Sequence, residues 1–249
     1  MIPKIIHYCW FGRNPFPQKI KDCISSWRKH LPDYEFRLWN EDTFPITESC
    51  QFVKDAFANR KWAFVSDYVR IYALYTYGGI YLDTDIEVVK GFDSSILDSN
   101  SAILGTDEAG YLTALMMSPP GHEYFKNMLN VYQALSFYNN DGTLNLEVNN
   151  TYLQDELQKW GYSIKNEYQV LKGGIVVYPD DYFHVRSLTN GKLHITPNTY
   201  AIHWHTVTWG NWKTKIIKCI RMNILVPILG TKLYESVVKS LKGNKSYIR

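Results

Sequence analysis

The sequence predicts a single α/β domain with a helical insertion and a C-terminal appendage. Two observations carry this. The chain opens strand–helix–strand, and short apolar runs then keep alternating with segments of helical period. Its size agrees: 249 residues with 45% hydrophobic side chains are enough for one large core. Residues 4–10 (KIIHYCW) are an apolar run closed by Gly12, Pro15 and Pro17, a first buried strand and its loop. Residues 17–30 carry Ile20, Cys23, Ile24 and Trp27 at helical spacing and stop before Pro32. Residues 34–39 (YEFRLW) alternate as a strand does. The segment 53–77 reads as mostly helix, stopped by Gly78-Gly79, and 80–89 (IYLDTDIEVV) as a strand. Further strands are expected at 101–106, 174–178 and 199–205, with helices near 121–135 and 151–160.

Composition removes whole classes of function. Aromatic residues, 15% of the chain, run its whole length, so it is not a disordered chain. No run of about 18 uncharged apolar residues exists, so no transmembrane span is expected. The first residues show no apolar stretch with a small-residue cleavage site, so no signal peptide is expected either. Cys9, Cys23, Cys50 and Cys219 form no C-x-x-C pair and read as free thiols of a reducing, cytoplasmic compartment. The net charge of +3 hides an asymmetry. From Lys213 onward nine Lys/Arg face Glu235 alone, which leaves residues 1–212 at −5. The expected boundary therefore divides an acidic domain, 1–212, from a basic tail, 213–249. An acidic body argues against nucleic acid as partner.

The sharpest signal is Gly78-Gly79-Ile80-Tyr81-Leu82-Asp83-Thr84-Asp85. On one continuous strand Tyr81, Asp83, Asp85 and Glu87 share a face, with Ile80, Leu82, Ile86 and Val88 on the other. Two carboxylates this close repel unless a cation sits near them. Their oxygen ligands suit Mg²⁺ or Mn²⁺, and strand carboxyl ends are where α/β sheets bind ligands. The preceding helix places Asp67 and Arg70 three residues apart on one face. That pair is either an intrahelical salt bridge or a binding set for sugar hydroxyls and diphosphate oxygens.

The run SDYVRIYALYTYGGIYLDTD closely resembles the sugar-binding Asp-x-Asp region of glycosyltransferase family 32. That family includes bacterial capsule and O-antigen transferases and yeast initiating mannosyltransferases, and clostridial toxin glucosylating domains look like distant relatives. The opening IPKIIHYCWFG and the later YAIHWHTVTW extend the resemblance over about residues 2–210. It implies a GT-A type, Rossmann-like nucleotide-sugar fold and a retaining hexosyl transfer that depends on Mn²⁺ (or Mg²⁺). Carried over by position, Trp10 stacks on the base, while Asp67 and Arg70 contact donor sugar and diphosphate. Tyr81 lines that pocket, Asp83 touches hydroxyls directly or through the metal, and Asp85 is the main metal ligand. The family's late motif reads more like His-His-Trp-x-x-Ser-Trp; here His203 aligns as the late ligand and Thr208 replaces the serine. His205 is displaced by one position, which on a strand turns it to the opposite face. The expected partners are a UDP-sugar (galactose, N-acetylgalactosamine or glucose) and a saccharide or lipid-linked acceptor.

Weaker signals are left open between two readings each. Asp107-Glu108, after a predicted strand, face either the donor sugar or acceptor, or else solvent. Asn149 and Asn150 are an N-cap or an acceptor contact, and Asp180-Asp181 read as a turn. Residues 213–242 interleave basic and apolar residues, an interfacial helix on the inner face of an anionic membrane or a packed helix with a basic face. Two other functions compete. Haloacid-dehalogenase-type phosphatases also use Asp-x-Asp, but near the chain start and with Thr or Val where this chain has Glu87. A non-catalytic sugar- or lipid-binding adaptor on a transferase fold would not need an intact Asp67, Arg70, Asp83 and Asp85.

Overall fold

A computed structural model describes residues 1–97, 101–107, 110–147, 149–187, 191–206, 226–230 and 233. The chain begins with β1 (Ile5–Cys9), α1 (Gln18–His30) and β2 (Glu35–Trp39), as the opening periodicity predicts. The expected long helix is two: α2 (Gln51–Ala58) and α3 (Trp62–Tyr77). Arg60, between them, sits in the left-handed region at φ 54°, and Lys61 N–H returns to the Ala56 carbonyl. After α3 come β3 (Gly79–Leu82), β4 (Ile86–Val88), α4 (Ser94–Leu97), β5 (Ala102–Asp107) and β6 (Gly110–Ser118). The described order continues with α5 (Glu123–Ala134), α6 (Asn149–Lys159), β7 (Gln169–Leu171), β8 (Ile175–Tyr178), α7 (Asp180–Phe183) and β9 (Ala201–His203).

Seven strands form the main sheet in the order β2-β1-β3-β6-β5-β8-β7. From the pairings, β1, β2, β3, β5 and β8 run one way, and β6 and β7 run against them. Alternate side chains feed two cores. Tyr81, Leu104 and Met116 pack with α2, α3 and α5, whereas Ile80, Ile103 and Met117 pack with Trp27 of α1 and Ile86 of β4. A sheet covered on both faces needs apolar side chains at both parities. That is why β6, buried at every position, has no alternation to read and is absent from the sequence-predicted strands.

The predicted strand 80–89 breaks. Its first half, β3, pairs with β1 and β6; Asp83–Asp85 turn, with Ile86 N–H on the Asp83 carbonyl; and β4 then pairs with β9 in a separate two-stranded sheet. The shared acidic face of 81, 83, 85 and 87 is therefore not a strand face. A turn brings the two aspartates together at the carboxyl end of β3. Upstream, Gly78 (φ 65°) and Gly79 (φ 99°) join α3 to β3 without a loop. A Cβ on Gly79 would lie 2.6 Å from the Ile5 carbonyl oxygen, so the turn excludes larger residues.

His7, fully buried in β1, ties this turn to the sheet edge. Its Nε2–H donates to the Gly78 carbonyl at 2.8 Å, and Nδ1 accepts from Trp39 Nε1 at 3.1 Å. Burial lowers its pKa from 6.5 to about 4, against the raising effect of the Gly78 bond. Below pH 6.5 the unfolded chain takes up a proton that the folded chain refuses. Stability from this group is thus complete above 6.5 and lost as pH falls towards 4, by about 3 kcal/mol at most. Denaturant unfolding at pH 7 and 4.5 should show His7→Gln losing less stability on acidification than wild type. Equal losses would contradict this role.

Candidate functional site

Beside the Asp83–Asp85 turn lies a cleft of about 260 Å³, walled by Cys9 of β1, Ala63 and Ser66 of α3, and the end of β9. A larger cavity, about 370 Å³, opens at the other end of the parallel strands near Lys4, His30 and Tyr34. The smaller one holds the paired carboxylates at the strands' carboxyl ends, where α/β sheets place their ligands.

Arg70 forms the floor and is 6% exposed. Its Nη2 meets Asp67 Oδ1 at 3.0 Å and Asp83 Oδ1 at 3.2 Å; Nη1 donates to Thr113 O and Oγ1 at 3.0 and 3.2 Å; Nε reaches Ser66 O at 3.4 Å. Burial opposes its charge, but Asp83, Tyr81 and Asp67 outweigh that and hold it protonated. All its nitrogens are engaged by protein, so Arg70 positions Asp83 and offers no free fork to a diphosphate. The Tyr81 hydroxyl donates to the same Asp83 oxygen at 2.8 Å. Asp83 keeps 28% of its side chain exposed. Burial and Asp85 raise its pKa, against Arg70.

Asp85 is held differently. Its Oδ2 accepts from Thr206 N at 2.6 Å and Thr206 Oγ1 at 3.0 Å, and its Oδ1 is 3.4 Å from His203 Nε2. Burial would raise its pKa; His203 and Thr206 more than reverse this and hold it well below the usual range. The register Ile86↔His203 and the bond from Trp204 N to Asp85 O deliver that imidazole. Ligand atoms of Asp83, Asp85 and His203 all lie within 4.8 Å of one another. Two carboxylates and an imidazole, with one Asp83 flank exposed, fit a divalent cation such as Mn²⁺ or Mg²⁺.

The structure thus gathers Arg70, Tyr81, Asp83, Asp85 and His203 from the sequence-predicted set. Asp67 lies behind Arg70, outside the cleft wall. Trp10 is buried against Phe16 (centroids 4.9 Å apart) with its Nε1 on the Asn14 carbonyl, and its ring is not part of the wall. Asp107 ends β5 and caps Gly110 N–H in the turn to β6. His205 departs from expectation. The strand ends at His203, and His205 takes φ 52°, so alternation no longer applies. Its ring lies tilted at 45° with its centroid 3.8 Å from that of His203 in the same cleft, and burial with the neighbouring His203 lowers its pKa to about 2. Thr206 was not anticipated, because its backbone and side chain find Asp85 only through the fold. Asn149 opens α6, and Asn150 bonds Tyr111 O and Thr113 Oγ1 rather than facing an acceptor. Asp180 and Asp181 form the first turn of α7. Cys9, Cys23 and Cys50 are free and buried. Glu108, Thr208 and Cys219 lie outside the described residues, as does most of the tail. Among the described residues no helix is long and apolar enough to cross a membrane.

Because every Arg70 donor is used, replacements should register as stability. Arg70→Lys should cost about 2 kcal/mol through orphaned acceptors. Arg70→Met, which takes the guanidinium from beside both Asp67 and Asp83, should cost about 4 kcal/mol. Urea unfolding measures both, and a Met variant as stable as wild type would show the network to be idle.

Residues 17–102 match the family described as "Glycosyltransferase sugar-binding region containing DXD motif". Inositol phosphoceramide mannosyltransferase 2 of Schizosaccharomyces pombe is 27% identical over 233 residues, covering 87% of this chain and 61% of that protein. Mannosyl phosphorylinositol ceramide synthase CSH1 of Saccharomyces cerevisiae is 30% identical over 142 residues, covering 55% and 36%. The chain spans less than two thirds of the length of the curated relatives it matches. Among solved structures it is similar to the PaToxG glycosyltransferase (20% identity, TM-score 0.48, 64% of this chain and 68% of that one). It is also similar to a glycosyltransferase involved in glycosylation of the major capsid of PBCV-1 (12%, 0.45, 82% and 95%). Residues 17–102 are therefore similar to a DXD-containing glycosyltransferase sugar-binding region, and Asp83-Thr84-Asp85 falls inside that match.

Proposed function

We propose that the protein is a metal-dependent, retaining glycosyltransferase. It moves a hexose from a nucleotide sugar to a saccharide or lipid-linked acceptor in surface polysaccharide or glycolipid synthesis. The observation that carries this is the meeting of His203 within 4.8 Å of Asp83 and Asp85, the two carboxylates of the matched sugar-binding region. A divalent cation bound there supplies charge stabilisation for the departing diphosphate. The chain's own residues do the rest. Asp85, kept anionic by Thr206 and His203, anchors the charge balance of the site. Asp83 is aimed by Arg70 and Tyr81, with one flank exposed to sugar or ribose hydroxyls. The partly closed cleft limits water at the anomeric carbon, so that an acceptor hydroxyl competes for it. Retention follows from the family resemblance; both same-face attack and a covalent intermediate are compatible with these residues.

The sequence resemblance favours UDP-galactose, UDP-N-acetylgalactosamine or UDP-glucose. The names of the yeast relatives favour a mannosyl donor and a phosphorylated lipid acceptor. A panel holding those UDP-sugars and GDP-mannose separates the two by slow hydrolysis, with no acceptor needed. Turnover of one donor with Mn²⁺ is expected, with loss in EDTA and a drop of about 10²–10³-fold in Asp85→Asn. Turnover indifferent to both changes would overturn the site, and no turnover or donor binding at all would favour a sugar-binding adaptor.

The basic residues 213–242 are proposed to rest on an anionic membrane surface at the cytoplasmic face, where a lipid-linked acceptor is reached. Removing 213–249 should weaken sedimentation with phosphatidylserine vesicles. Unchanged binding would assign those residues to packing.

A further inference from the structure

Two imidazoles beside the carboxylates have unmet bonding capacity. His184, directly after α7, is 4% exposed, and neither its Nδ1 nor its Nε2 has a hydrogen-bond partner. His203 Nδ1 is likewise buried and without a partner. The rings meet edge to face, 5.6 Å between centroids at 73°. Buried polar atoms left unpaired are costly and rare, so three of them on two adjacent rings call for a cause. β5 is shaped around this contact. A Cβ on Gly105 would lie 3.0 Å from both Cε1 and Nδ1 of His184, so a glycine there makes the room that the ring fills.

The choice of tautomer at His203 supplies that cause. With its proton on Nε2, His203 faces the Asp85 carboxylate 3.4 Å away and has no lone pair to offer a cation. With its proton on Nδ1, Nε2 is bare and pointed at the carboxylates, but the Nδ1–H needs an acceptor. His184, its ring centroid 5.6 Å away, is the adjacent side chain with unfilled nitrogens. His205 is committed elsewhere, its Nε2 lying 3.0 Å from the Arg186 carbonyl oxygen.

We propose that His184 is the positioning residue of the cation site, accepting the Nδ1–H of His203 and so presenting a bare Nε2 beside Asp83 and Asp85. This rests on the reading of Asp83, Asp85 and His203 as a cation site. Outer partners of this kind fix the tautomer of a ligating histidine, and their loss weakens metal affinity by about 10- to 100-fold. The role differs from simple packing, which would act on stability and leave affinity alone.

The test is calorimetric Mn²⁺ titration of the full chain as wild type, His184→Phe, His184→Gln and Asp85→Asn, with thermal melts of the cation-free proteins. His184→Phe keeps a ring against Gly105 and should bind Mn²⁺ about 10- to 100-fold more weakly, with its melt unchanged or raised. His184→Gln, which restores an acceptor, should recover part of the affinity. Wild-type affinity in His184→Phe would overturn the proposal. Should His184→Phe not fold, His184→Gln stands in, with the ¹⁵N shifts of His203 as its readout. Mn²⁺ binding that is absent in wild type or survives Asp85→Asn would refute the cation-site reading instead. In that event ¹⁵N spectra of the cation-free chain decide the role of His184. Loss of the Nδ1–H form of His203 in His184→Phe supports it, and identical shifts refute it.

Discussion

A buried guanidinium organises the site. The Arg70 guanidinium lies under the cleft with each nitrogen satisfied, and an ion so placed is tolerable only if its partners are fixed. Those partners come from three directions. Asp67 lies one turn back on α3, Asp83 ends β3, and Thr113 belongs to β6. Helix, motif strand and central antiparallel strand are thereby locked at one point. A lysine, with a single compact ammonium, would not span the three.

Around that point the two aspartates diverge in character although only Thr84 separates them. Asp83 is bound by groups of the main sheet and its helix, keeps an open flank and is harder to ionise. Asp85 is closed in by β9 and Thr206 and is held anionic. The cause is architectural. The turn that carries both leads from the seven-stranded sheet to the two-stranded one, so Asp83 adjoins the first and Asp85 the second. A pair of like charges is thus kept in place by two separate sets of donors, an arrangement a cation completes without rearranging either.

The match to the sugar-binding region ends at residue 102, before β9 begins. The carboxylates and Arg70 therefore lie inside the matched region, and the imidazoles and Thr206 lie outside it. The matched part of the site carries oxygen ligands, and the part beyond it, with His184, His203 and His205 crowded together, is nitrogen-rich. Affinity and preference for the cation are the properties such a surround adjusts.

Local order was legible in the residues themselves. Helical spacing alone placed α1, Gly78-Gly79 ended α3 because only glycine fits that turn, and Asp67 and Arg70 met because i and i+3 share a helix face. The Asp-x-Asp motif was equally plain. The break between β3 and β4 was not, since IYLDTDIEVV has strand-like residues throughout and only pairing with β6 on one side and β9 on the other divides it. β6 escaped because burial on both faces erases alternation. The surroundings of Trp10, with Phe16 beside its ring and the Asn14 carbonyl on its Nε1, were likewise set by the fold. Sequence determined which groups with reactive chemistry the chain carries and which of them are neighbours along one element. Which groups 121 residues apart share a carboxylate, as Thr206 and Asp85 do, was decided by strand register in three dimensions, which no local pattern encodes.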